Sequence, residues 1–104
     1  MTVTVDLPSP TYPGTGALTK ITFTNPGSPR PVDPTTVTLE ILDGNGSLTT
    51  WVYQSTGSIV RMKQGLYLAE YLLDVPGNWS FKWIGTGACA VPEVATFTVD
   101  PLPF

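Results

Sequence analysis

Side chains able to do chemistry are few in this sequence: eight Asp and Glu, five Lys and Arg, one cysteine and no histidine among 104 residues. The missing histidine removes the commonest general base and metal ligand. Two carboxylates at a suitable separation can hydrolyse a glycosidic bond. Here Asp6, Asp33, Glu40, Asp43, Glu70, Asp74, Glu93 and Asp100 are spread along the chain, and spacing marks out no pair. Asp43-Gly-Asn45-Gly46 matches the opening of a calcium loop, but loop position 12, a bidentate Glu in an EF-hand, is Gln54. The same residues suit a tight turn. Gly85-Thr-Gly87 is too short to cradle phosphate, and no Lys-Ser/Thr follows it. Cys89, between Ala88 and Ala90, reads as a small buried hydrophobe; a reactive thiol would need a nearby cation. Asn45-Gly-Ser47 and Asn78-Trp-Ser80 fit the glycosylation pattern, which matters only in a secreted chain. The expectation is a protein without catalytic residues, cofactor or metal.

Composition narrows the class further. Hydrophobic residues reach 41% while charged residues are only 12%, a balance that favours a packed core over disorder. The net charge of −3, with basic residues scattered, leaves no basic patch for nucleic acid or an anionic membrane. The longest apolar runs, Leu66 to Ala69 and Ala88 to Val91, fall far short of the ~20 residues of a membrane span. The start at Met1 shows no basic, apolar leader, so folding in the cytoplasm is expected.

The elements that position these residues read as strands. Turn signals recur at roughly 8 to 12 residues, the rhythm of an all-β sandwich or barrel. Thr2 to Val5, Ala17 to Thr24, Thr36 to Leu42, Leu48 to Gln54, Ser58 to Met62, Leu66 to Leu73, Trp79 to Ile84 and Ala95 to Asp100 are the candidate strands. No stretch holds a helical period. Seven or eight strands in this length fit an immunoglobulin-like β-sandwich, and a lone cysteine rules out an internal disulfide. Residues 1–16 form a Pro-rich arm or edge strand, 17–100 the sandwich and 101–104 a tail. Trp79, Phe81 and Trp83 share one face, as do Tyr67, Ala69, Tyr71 and Leu73, and together they supply the core. The second of these strands is expected to pair with the first as a hairpin across Val75-Pro-Gly-Asn78.

That alternation turns Glu70 outward, and with it Leu66, Leu68 and Leu72. The leucines either pack under a loop or the N-terminal arm, or form a contact surface. Leu102 and Phe104, apolar residues near a chain end, also make sense under a partner. Trp51 and Tyr53 share one side of a strand, where they cover the core edge or, exposed and coplanar, form a platform for host glycans. Few charges guard the strands, which leaves room for self-association through an exposed edge.

Several stretches of the sequence carry a resemblance. Gly65-Leu-Tyr67-Leu-Ala-Glu-Tyr71, Pro76-Gly77-Asn-Trp79 and Ala95-Thr-Phe97-Thr-Val99 resemble the last strands of filamin-type immunoglobulin-like repeats. Pro31-Val-Asp-Pro-Thr-Thr-Val37-Thr-Leu39, with Gly65-Leu-Tyr67 and Gly77-Asn-Trp79-Ser-Phe-Lys-Trp83-Ile-Gly-Thr-Gly87, resembles small structural proteins of tailed bacteriophages over residues 17–100. The resemblance implies a virion component made in the host cytoplasm, with other capsid or tail proteins as partners. Capsid decoration is the favoured role. The resemblance transfers no catalytic or ligand-binding residue.

Overall fold

The computed structural model describes residues 2–7, 11–24, 30–87 and 92–101. Within them the chain is all-β: β1 (Thr2–Asp6), β2 (Thr15–Thr22), β3 (Val37–Leu42), β4 (Leu48–Val52), β5 (Val60–Lys63), β6 (Leu66–Leu73), β7 (Gly77–Gly85) and β8 (Glu93–Val99). They form two four-stranded antiparallel sheets, ordered β1-β2-β6-β5 and β4-β3-β7-β8, packed face to face. Cys89, Leu102 and Phe104 lie outside the described residues.

Period-two alternation places the core. Ala17, Thr19, Ile21 and Phe23 from one sheet meet Val37, Leu39, Ile41, Trp79, Phe81 and Trp83 from the other, all essentially inaccessible. Thr19 is the polar exception, and it accepts the Trp83 indole N–H at 3.0 Å across the sandwich. A buried hydroxyl facing a buried indole leaves neither group unsatisfied, which is the condition for placing either one there. Phe97 extends the aromatic core by stacking on Trp79 and meeting Phe81 edge-on.

The expected hairpin between β6 and β7 does not form: β6 pairs with β2 and β5, whereas β7 pairs with β3 and β8. The Asp74–Pro76 link instead carries the chain from one sheet to the other. Its groups are used in the crossing: Gly14 N–H donates to the Leu73 carbonyl at 2.6 Å, and the Trp79 indole N–H donates to the Val75 carbonyl at 3.0 Å. A Pro-Gly link of this length serves a crossing or a hairpin equally well, and strand alternation does not say which sheet comes next. Hairpins do join β1 to β2, β3 to β4, β5 to β6 and β7 to β8, so the chain changes sheet at every second connection.

Candidate functional site

The outer face of the β1-β2-β6-β5 sheet carries the outward leucines of β6 and apolar neighbours from the strands beside it. On β2 the inward set contains Thr19, so the side chains between its members, Leu18, Lys20 and Thr22, turn outward. The register sets Leu18 opposite Glu70, Lys20 opposite Leu68, Thr22 opposite Leu66 and Gly16 opposite Leu72. On the far side Val60 pairs with Leu68 and Lys63 with Leu66, and a bulge falls between Arg61 and Lys63. Leu72 is 58% exposed, Val60 48% and Met62 56%, while Leu18, Leu66 and Leu68 are half-buried. Cross-strand neighbours shield those three. β1 joins the sheet edgewise beyond β2 and so does not lie over them. An apolar cluster in such a place costs solvation unless a partner covers it.

The other outer face, on β4-β3-β7-β8, also exposes apolar side chains, Leu42 beside Leu48 and Val94 beside Lys82, and adds polar groups that meet one another. Glu40 and Lys82 are register partners there and form an ion pair at 3.8 Å. Thr98 donates to Asn78 Oδ1 at 3.1 Å, beside a shallow depression of about 400 Å³ lined by Ser80 and Thr96. These groups satisfy one another within the chain.

One carboxylate builds a turn. Asp43 Oδ1 accepts the backbone N–H groups of Asn45 and Ser47, at 2.8 and 2.9 Å, and so builds the β3–β4 turn. Among the described residues no cluster of His, Cys, Asp or Glu has the arrangement of a metal site. Gly85-Thr-Gly87 is laced to the residues just before β3. Thr35 N–H donates to the Thr86 carbonyl at 2.8 Å, and the Thr36 and Thr86 hydroxyls bond at 2.6 Å.

Asp33, one of the eight acids that spacing left without a pair, is the centre of a hydrogen-bond network. Its carboxylate accepts Arg61 Nε and Nη2 at 3.2 and 2.8 Å, Gly65 N–H at 2.8 Å and the Tyr67 hydroxyl at 3.1 Å. These bonds, led by Arg61 and then Gly65, hold its pKa at about 2. Burial and the facing carboxylate push Tyr67 up to about 12. Ionised Asp33 therefore clips the segment between β2 and β3 onto the β5–β6 hairpin, a latch rather than a reactive pair. The folded carboxyl binds its proton less readily than an ordinary carboxyl of pKa 3.8. Its contribution is thus complete above about pH 4 and fades as pH falls through 2. The Asp33 side chain is 36% exposed, so screening reduces the contribution to about 1 kcal/mol. Asp33→Asn should be less stable than the parent at neutral pH by that amount, and melt correspondingly lower. The gap, read by circular dichroism, should narrow between pH 4 and 2; a gap that does not change with pH would contradict the latch.

Trp51 and Tyr53 are half-buried and turned against the core. Trp51 packs on Tyr71 at 5.3 Å between ring centroids, and Tyr53 meets Tyr67 edge-on at 5.2 Å. Each ring is thus committed to a tyrosine of the opposite sheet. The structure brings Leu66, Leu68 and Leu72 onto one face and adds Leu18 and Val60 to them. The sequence signal for Leu18 was its place in an inverted alternation, leucine outside and threonine inside. No family model, curated protein or solved structure matches this chain.

Proposed function

We propose that this chain is a non-enzymatic structural protein of a tailed-bacteriophage virion, a capsid decoration or other surface accessory protein that acts by protein–protein docking. The observation that carries the docking role is the outward apolar cluster of Leu18, Leu66, Leu68, Leu72 and Val60 on one sheet, whose opposite face is already the core. The virion setting is supported by the sequence resemblance over residues 17–100.

We read the sandwich as immunoglobulin-like. Its sheet orders support this: β1-β2-β6-β5 corresponds to the strands A, B, E and D of that fold, and β3-β7-β8 to C, F and G. On that reading β4 is the additional strand beside C.

Particles that lack the protein provide the test. The purified chain should bind them. Leu72→Glu, at an exposed position that costs the fold little, should weaken binding roughly tenfold while leaving the melting curve unchanged. Absence of the chain from purified virions by mass spectrometry, or full binding by Leu72→Glu, would overturn the proposal.

A further inference from the structure

Three asparagines occur in the chain, and one of them stands where its side chain can react with the backbone. An asparagine amide is converted when the backbone nitrogen of the next residue attacks its Cγ, so the residue that follows decides the outcome. Asn25 precedes Pro26, whose nitrogen carries no proton to give up. Asn78 precedes Trp79, which is fully buried, and β7 holds the two opposite Thr98 and Phe97. Ring closure there would pull a large aromatic residue out of the core. Asn45 precedes Gly46, and both are exposed in the β3–β4 turn. Gly46 has φ of +84°, and an added Cβ would meet nothing within 4 Å. Neither a side chain of its own nor a neighbour crowds that side of its backbone.

The turn itself opposes the reaction. Gly46 N–H donates to the Asp43 carbonyl at 3.1 Å, which occupies the attacking nitrogen. Asp43 Oδ1 accepts Asn45 N–H at 2.8 Å and Ser47 N–H at 2.9 Å, fixing the backbone on either side of that nitrogen. Asp43-Gly44, the adjacent pair of similar type, is tied more firmly. Its carboxylate is held by those two bonds, and Gly44 lies against the Pro76 carbonyl. We infer that Asn45 is a modification site of this chain, converted without an enzyme by the Gly46 nitrogen at a pace set by the Asp43 turn.

The step balances with water and hydroxide alone. Solvent hydroxide takes the Gly46 amide proton, and the nitrogen forms a bond to Asn45 Cγ. The Cγ–Nδ2 bond breaks, and Nδ2 leaves as ammonia after taking a proton from water, which restores the hydroxide. Water then opens the cyclic imide at either carbonyl. The product is an aspartate or, with the backbone rerouted through the side chain, an isoaspartate. Either adds one negative charge to the net −3 of the chain. The isoaspartate also inserts a carbon into a turn closed by Gly46 N–H to Asp43 and by Asp43 N–H to the Ser47 carbonyl at 3.0 Å.

Incubation of the intact chain in mildly alkaline buffer provides the test, with ammonia release measured and peptides mapped by mass spectrometry. The mass gain and the isoaspartyl linkage are expected at position 45, with Asn78 unchanged over the same period. Asn45→Gln should suppress the release, because the longer side chain needs a larger, slower-closing ring. Asp43→Ala, which frees the turn, should speed the release about fivefold, the rate equivalent of one lost hydrogen bond. The parent chain in urea, where the turn is lost altogether, should also react faster than the folded chain. A parent that releases no more ammonia than Asn45→Gln would overturn the site, as would conversion at Asn78 as fast as at position 45. Rates for Asp43→Ala and for the parent in urea that equal the folded parent's would overturn the pacing by the turn.

Discussion

Replacing Trp83 with alanine is expected to destabilise the fold by about 4 kcal/mol, from loss of buried aromatic surface and the cavity left behind. For a domain of this size that is a large fraction of total stability, roughly 5–15 kcal/mol, and corresponds to a fall in Tm on the order of 20 °C. The figure follows from position. Trp83 is fully buried near the middle of β7, and its indole N–H is the donor to Thr19 across the sandwich. Thr19→Val isolates the polar part, because it keeps the shape and removes the acceptor. It should cost about 1–3 kcal/mol through the orphaned N–H. Trp83→Phe combined with Thr19→Val should cost less than the sum of the two changes, since the pair shares one bond. Urea denaturation followed by far-ultraviolet circular dichroism measures all of these, and strict additivity would show that the bond is not made. Thr19 sits between Leu18 and Lys20, so this internal bond also fixes the strand that presents the proposed contact.

Strand identity was readable because alternation is local. Trp79, Phe81 and Trp83 declare one face of β7 by their spacing alone, and Val37, Leu39 and Ile41 do the same for β3. The sheet in which a strand ends up is not local information. Val75-Pro-Gly-Asn78 was read as a hairpin turn because nothing in four residues distinguishes a return from a crossing. The same limit hid the latch: Asp33 and Arg61 are 28 residues apart, and Asp33 and Tyr67 are 34 apart. They meet only once the crossings between β2 and β3 and between β4 and β5 are made. For the candidate face, Leu66, Leu68 and Leu72 were visible through the outward Glu70 on their own strand. Leu18 and Val60 came with the register, which decides what lies beside a leucine on the next strand.

The second large effect is expected at Gly65, where a single residue joins three segments of chain. Its φ is +77°, and an added Cβ would stand 2.7 Å from the Phe23 carbonyl oxygen and 2.9 Å from Pro31 Cβ. Its N–H donates to Asp33 Oδ1 at 2.8 Å, its carbonyl accepts Phe23 N–H at 2.7 Å, and Phe23 in turn accepts Val32 N–H at 3.0 Å. A side chain here pays twice: about 1–2 kcal/mol for the left-handed backbone, and more for pushing Phe23 away and lengthening the bonds of the latch. Gly65→Ala should therefore lose about 3 kcal/mol. Gly14 is the control, with φ of +96° and nothing near an added Cβ, so Gly14→Ala pays the backbone cost alone. Gly65→Asn separates the two contributions in the other direction, because Asn tolerates the left-handed region but still fills the space. Denaturation midpoints in the order Gly14→Ala above Gly65→Asn and Gly65→Ala would show that close approach of backbone, more than φ, demands glycine here. Equal losses at positions 14 and 65 would refute the packing account. The stakes reach the proposed contact, since Gly65 closes the turn that sets Lys63 opposite Leu66 and so aligns β5 with β6 at the rim of the apolar face.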